Sequence, residues 1–338
     1  MPNFRLYFKG DYVKFIIMDK PIKIVYFGTS EFALEPLKVL CESGSEVIAV
    51  VTRADSKGGR FLGLIQSPVK KFALSKGLTT LEFKNLDEAE SQLEELAADL
   101  YVVCSYGIFL PENIINLPNL YSLNIHPSVL PLYRGAAPIN WALINGDNYT
   151  GVTIQKISKK MDAGDIALSN EIVIEKSDNV QSLSDKLSVL SGKMILEIIN
   201  SITEGTLAFR PQDDEAATFS RALEKEDGLI KWNKQATDVH NLIRGVSGWP
   251  GAYFFYHKKR IKVHESLVVE VDEELTKNKE YKPAEVVLAD KRQGLVIKCK
   301  EGFIRLVSLQ AEGKKVLDDT VFLVGSTIES GDKLEEIL

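Results

Sequence analysis

Three apolar runs, 22–27, 47–51 and 100–104, are each of strand length, and the segments between them carry a helical period. After Ser30, a good helix cap, Phe32, Ala33, Leu37 and Leu40 recur at helical spacing, and Gly44 ends the run. Strands joined by helices lie parallel and need cover on both faces, so the series predicts an α/β fold with a doubly wound, mostly parallel sheet of Rossmann-like type. The pattern continues through helices at 67–77 and 88–97, a helix start at Pro111 and a strand at 121–126. Segments 151–157 and 166–174 read as a hairpin around Met161, Asp162, Ala163, Gly164 and Asp165. Leu183, Leu187, Leu190, Met194, Ile198 and Ile202 then predict a long amphipathic helix that closes this domain.

The pattern changes after Pro211, where a polar stretch without period suggests a linker over 211–227 between a first domain at 21–210 and a second at 228–338. The second contains one amphipathic helix, with Ala236, Val239, Leu242, Ile243 and Val246 on a face, followed by about five alternating strands. That set predicts a small β-barrel of the OB type. Residues 1–20 have no clear period and read as a dispensable extension, with Met18 an alternative start.

At 338 residues the chain is long enough for two cores. Its 41 basic and 47 acidic residues sum to −6, which argues against a protein held on DNA by a basic field. From residue 221 onward the charges balance at 20 and 20. Basic clusters at Lys258-Lys259-Arg260, Lys291-Arg292 and Lys314-Lys315 fall at expected hairpin turns, where solvated turn residues and nucleic-acid contacts are equally good explanations. Cys41, Cys104 and Cys299 lie far apart, so no disulfide framework or zinc site is expected, and a reducing cytoplasm fits. No apolar stretch reaches membrane-spanning length, and no membrane association is expected.

Among four histidines, His126 stands out at the end of an apolar strand, before Pro127. Asn124 lies two residues earlier and leaves the same face, while Leu123 and Ile125 fill the other. Carboxyl ends of strands form the ligand crevice of open α/β sheets. On position alone, however, a satisfied core histidine is the commoner explanation. Asp162, in the following turn, completes an amide, an imidazole and a carboxylate that sets the charge of the ring. Such a group can stabilise an oxyanion and move protons without a metal. A hydrolase triad through Ser128 is disfavoured because no G-x-S-x-G elbow surrounds it. Gly28 without a G-x-G-x-x-G pattern is weak evidence for a dinucleotide.

The segments Asn124-Ile-His126-Pro-Ser-Val-Leu-Pro131, Arg134-Gly-Ala-Ala-Pro138, Thr150-Gly-Val-Thr153 and Met161-Asp162-Ala-Gly-Asp165 strongly resemble the methionyl-tRNA formyltransferases, within the wider folate-dependent formyltransferase family. The resemblance covers about residues 22–325. It implies a monomeric translation-initiation enzyme that moves the formyl group of 10-formyltetrahydrofolate to the α-amine of methionyl initiator tRNA. Asn124, His126 and Asp162 would be catalytic. Ser105, Tyr106, Gly107, Leu110, Ser128, Leu130 and Pro131 would form the folate segment. A basic loop after the second strand, with Lys57 and Arg60, would meet the tRNA, although Phe61, Leu62 and Gly63 replace the lysines expected after the arginine. Lys258, Lys259 and Arg260 would add RNA contacts from the barrel. The same core also serves transferases acting on amino-sugar nucleotides, which is the alternative.

Overall fold

The leading segment pairs despite its missing period: β1 (Phe4–Lys9) and β2 (Tyr12–Ile17) run antiparallel, with Phe4 opposite Ile17 and Lys9 opposite Tyr12. Both runs are rich in aromatic and β-branched residues, which favour a pleated ribbon. The structure is a computed structural model that describes residues 4–9, 12–17, 20–57, 64–83, 85–271 and 280–335. By contacts the chain forms two units that alternate along the sequence. The first holds the chain up to Gly135, Gly151–Ile172 and Ser184–Phe219; the second holds Ala136–Thr150, Val173–Leu183 and everything from Ser220 on.

In the first unit, β3 (Lys23–Gly28) leads through α1 (Leu34–Glu42) to β4 (Glu46–Thr52). Two short strands follow, β5 (Ser56–Lys57) and β6 (Leu64–Ile65), then α2 (Pro68–Ser75) and β7 (Thr80–Glu82). The chain returns through α3 (Glu90–Glu95) to β8 (Leu100–Cys104), α4 (Glu112–Ile115), β9 (Tyr121–His126) and the short β10 (Arg134–Gly135). After α5 (Pro138–Asn145), which belongs to the second unit, come β11 (Tyr149–Lys156), β12 (Ile166–Val173) and the long α6 (Val180–Glu204), whose first residues also belong to the second unit.

The sheet order is β12-β11-β9-β8-β3-β4-β7. From β7 to β9 every neighbouring pair is parallel, and β11 then lies antiparallel to β9. The sequence did not announce β7, a three-residue edge strand too short to show alternation. All five residues of β8 are buried, as expected of a strand covered on both faces. On one face Val25, Phe27, Ala49, Val51, Tyr101 and Val103 form a continuous core. The chain reverses its direction of growth between β3 and β8, the position where ligands bind in folds of this kind. Thr29 and Ser30 leave β3 there and bond to the loop leaving β8, Thr29 Oγ1 to the Tyr106 carbonyl at 3.1 Å and Ser30 Oγ to Ser105 Oγ at 2.7 Å.

The second unit's β-rich part follows β13 (Phe219–Ser220), with α7 (Ala236–Gly245) and the strands β14 (Ala252–Tyr256), β15 (Lys259–Val269), β16 (Val286–Asp290), β17 (Gly294–Lys298), β18 (Phe303–Ala311) and β19 (Leu317–Asp318). The order is β14-β15-β18-β17-β16, with β19 on β18. Residues 331–335 bond to both sheet edges: Glu335 exchanges two backbone bonds with Phe255 in β14, Gly331 donates to the carbonyl of Val286 in β16, and Leu334 donates to that of Ala284 just before it. The terminal segment therefore covers the open edges of the antiparallel sheet. Inside, Trp232 is fully buried and meets Phe254 edge-on at 5.8 Å between centroids.

Candidate active site

Polar side chains collect where β9 ends. Leu123 and Ile125 are buried on one face, as the alternation requires, and Asn124 and His126 share the other. Beyond His126 the chain folds back on itself. Ser128 N–H donates to the His126 carbonyl at 2.9 Å, and Ser128 Oγ donates to the Leu132 carbonyl at 2.6 Å. Ser128 is fully buried and its hydroxyl is committed to this loop, so it is no nucleophile. Thr153 sits opposite His126 on β11; its hydroxyl donates to the Ser128 carbonyl at 2.8 Å and accepts Leu130 N–H at 3.0 Å. The returning loop brings the Tyr133 carbonyl to within 2.9 Å of His126 Nε2. A carbonyl only accepts, so Nε2 carries the hydrogen and Nδ1 is the nitrogen turned toward Asp162, 3.6 Å from its Oδ2.

Asp162 is reached by the turn between β11 and β12 and has a left-handed backbone, φ 49°. Its Oδ2 accepts Gly135 N–H at 3.0 Å; its Oδ1 accepts Asn124 Nδ2 at 3.3 Å and Gln155 Nε2 at 3.1 Å. Gly164 lies against the Lys156 carbonyl so closely that any Cβ would collide with backbone, which fixes the return of the turn. Asn124, His126 and Asp162 are thus brought together as the sequence predicts.

Three further side chains belong to this cluster that sequence reasoning did not assign: Gln155, Gln212 and Arg134. Arg134 is 4% exposed and donates to Gln212 Oε1 and to Asp214 Oδ1. That contact holds the Asp214 carboxyl below the usual carboxylate range. Gln212 Nε2 lies 3.0 Å from the Asp162 carbonyl, 2.7 Å from the Gly164 carbonyl and 2.9 Å from Gln155 Oε1. Gln155 had one available signal, an alternate position on β11, but only the register with β9 puts it opposite Asn124.

The expected folate segment divides. Ser105 and Gly107 are exposed at the crevice after β8 and Pro131 is half-buried. Tyr106, Leu110, Ser128 and Leu130 are buried. Tyr106 packs edge-on against Phe27, and burial pushes its phenol above the ordinary tyrosine range while nearby Arg53 pulls it down. Arg60 lies outside the described residues, as does the Lys57 side chain. At the base of their loop Ser56 pairs with Ile65 and Lys57 with Leu64, and Lys70 on α2 forms ion pairs with Asp55 and Glu82. Lys258, Lys259 and Arg260 are exposed at the β14–β15 turn, Arg260 lying over the Tyr253 ring at 5.7 Å. Among the described residues no group of three or more His, Cys, Asp or Glu could hold a metal ion, and no helix is long and apolar enough to cross a membrane.

Comparison with known proteins identifies the family. Residues 22–199 match the formyl transferase family model and residues 222–327 match the formyl transferase C-terminal domain. A methionyl-tRNA formyltransferase of Caldanaerobacter subterraneus is 41% identical over 93% of this chain and 100% of its own length. One from Ruminiclostridium cellulolyticum is 36% identical over 93% of this chain and 99% of its own. Among solved structures, an N-formyltransferase of Helicobacter canadensis, in complex with folinic acid and dTDP-3-aminofucose, superposes with TM-score 0.63 at 18% identity over 86% of this chain and 99% of that one. HypX from Aquifex aeolicus in complex with tetrahydrofolic acid superposes at 0.61, with 17% identity over 89% of this chain and 46% of that one. These two share the fold. The chain belongs to the formyl transferase family, and within it to the methionyl-tRNA formyltransferases.

Proposed function

We propose that this enzyme moves the formyl group of 10-formyltetrahydrofolate to the α-amine of methionyl initiator tRNA, and that Asn124, His126 and Asp162 perform the transfer. The observation that carries the reading is the meeting of these three side chains at the end of β9, with Asp162 3.3 Å from Asn124 and 3.6 Å from His126. Asn124 Nδ2 uses one hydrogen on Asp162 and has a second to offer an oxygen that gains charge. A preorganised donor of this kind lowers the barrier by about 3–4 kcal/mol. His126 is anchored through Nε2, so Nδ1 is the nitrogen that exchanges a proton. As the bond from the amine to the formyl carbon forms, the amine must lose a proton, and the departing folate nitrogen must gain one. Asp162 and His126 Nδ1 offer a short route between those two points.

The donor side draws support from Ser105 and Gly107, accessible at the sheet's switch point, with Pro131 on the neighbouring loop. Tyr106 and Leu110 are buried beside them, and Ser128 and Leu130 are buried in the loop after β9. For the RNA, Arg60 and Lys57 in the loop after β4, and Lys258, Lys259 and Arg260 at the barrel turn, supply cations for phosphate contacts.

The test is transfer of labelled formyl from 10-formyltetrahydrofolate to initiator methionyl-tRNA, with elongator methionyl-tRNA and an amino-sugar nucleotide alongside. Label on the methionyl amine of the initiator species is the expected result. Label on the sugar in the absence of RNA, or no label on the tRNA, would reject the reading.

A further inference from the structure

Gln212 lies in the polar stretch that the sequence motifs leave unused, yet its side chain is bonded to Gln155 and to the Asp162 carbonyl. Its orientation is forced. Oε1 faces Arg134 Nε at 3.1 Å and Nη2 at 2.8 Å, and a guanidinium only donates. Nε2 faces the Asp162 and Gly164 carbonyls and Gln155 Oε1, which only accept, so three acceptors share two hydrogens. A flipped amide would set oxygen against oxygen and NH2 against guanidinium. Gln155 is fixed by the same logic. Its Oε1 accepts from Gln212 and from Gly164 N–H at 3.1 Å, which leaves Nε2 to donate to Asp162 Oδ1.

Donation therefore runs one way, from buried Arg134 through Gln212 and Gln155 to the Asp162 carboxylate. The second branch reaches the same residue through its backbone carbonyl. Asp162 has a left-handed backbone, φ 49°, which single Asp residues in turns adopt. The position of Gln212 has its own support, since Ile166 and Arg210 exchange both backbone bonds, 2.8 and 2.9 Å, two residues before it.

We propose that Gln212, oriented by Arg134, is a positioning residue for formyl transfer: it aims the Asp162 carboxylate at Asn124 and His126 through the Asp162 carbonyl and Gln155, and touches neither substrate. This role rests on the functional reading above, because it presumes that Asp162 takes part in the transfer.

The experiment compares wild type with Gln212→Ala, Gln212→Glu and, should either fold poorly, the near-isosteric Gln155→Met, in wild-type and Asp162→Asn backgrounds. Displacing a reacting group by about an ångström can lower kcat by up to about a hundredfold. Loss of ten- to a hundredfold in kcat with KM for both substrates within about threefold is expected for each variant, Gln212→Glu included, because it keeps the Arg134 contact but has no hydrogens to donate. In the Asp162→Asn background the same changes should cost less than about twofold in single-turnover rate. An equal loss in both backgrounds, or a loss confined to KM, would overturn the proposal. A substrate-free arm follows exchange of the Gly135 amide, which is bonded to Asp162 Oδ2. Exchange at least tenfold faster in Gln212→Ala, with β8 amides unchanged, is expected; unchanged exchange at Gly135 would overturn the proposal. If the wild type formylates no methionyl-tRNA, the functional reading falls while the exchange arm still decides whether Gln212 holds Asp162.

Discussion

Gln155 and Asn124 lie directly opposite each other on antiparallel strands and donate to the same oxygen, Oδ1 of Asp162. The shared acceptor fixes the Asn124 amide in one orientation before any substrate arrives. Its second N–H is then aimed without further ordering, which is how a donor stabilises developing charge at little reorganisation cost.

Asn124→Ala should therefore lower kcat by roughly 10²–10³-fold while KM for either substrate changes little. The side chain is half-buried and near the rim, so the unfolding midpoint should move by only a few degrees. Steady-state kinetics together with thermal unfolding checks both statements. A rise in KM at constant kcat would show that Asn124 serves ground-state binding instead.

Tyr106 offers a test of stability that runs against intuition. Its hydroxyl is buried with no hydrogen-bond partner among the described residues, while its ring packs on Phe27. Leaving a polar group dry costs free energy, so Tyr106→Phe should leave stability unchanged or raise it by about 1 kcal/mol. Urea unfolding measures this. A loss of similar size would mean that the hydroxyl has a partner such as a bound water.

Asp319 should set part of the acid sensitivity of the second unit. Burial pushes its pKa up, but Arg305 Nε at 2.7 Å, with the N–H groups of Leu295 and Thr320, outweighs this and holds the carboxyl below its ordinary range. A depressed folded-state pKa gives stability that is present above the unfolded value, near 4, and is lost as pH falls through the folded value. Asp319→Asn should cost about 3 kcal/mol at neutral pH, because it leaves Arg305 without its partner. The gap between variant and wild type should close as the pH drops below about 4. A gap independent of pH would assign the loss to packing.

The parallel sheet was legible because its strands are long, apolar and separated by helices of clear period; runs such as 22–27 and 100–104 leave little choice. The candidate trio was legible through the motif resemblance: alternation places Asn124 and His126 on one strand face and Asp162 falls in a turn, but on position alone a satisfied core histidine was the commoner explanation. What lay hidden depends on register and long-range return. Gln155 becomes a neighbour of Asn124 only once β11 is aligned on β9, and no local pattern reports that alignment. Gln212 stands in a stretch without period that reads as a connector, and its partners are about fifty residues or more away in sequence. The antiparallel β1–β2 pair escaped notice because only the first run alternates, Phe4, Leu6 and Phe8 with Arg5, Tyr7 and Lys9, and the second, with Phe15, Ile16 and Ile17 in succession, does not.

The turn that carries the barrel's basic cluster allows stability and RNA binding to be separated. His257 and Lys258 have φ values of 48° and 62°, and the flanking Tyr256 and Lys259 are paired, so this is a two-residue hairpin turn with both positions left-handed. Side chains with a Cβ are strained there, and glycine is not, so Lys258→Gly should stabilise the protein by about 1 kcal/mol. The same change removes a cation. If Lys258 meets a phosphate, tRNA affinity should fall and the slope of log K against log salt should shrink by about one. Urea unfolding and salt-dependent binding then move in opposite directions for a single substitution. A more stable variant with an unchanged salt slope would remove Lys258 from the RNA interface and leave the solvated-turn explanation standing.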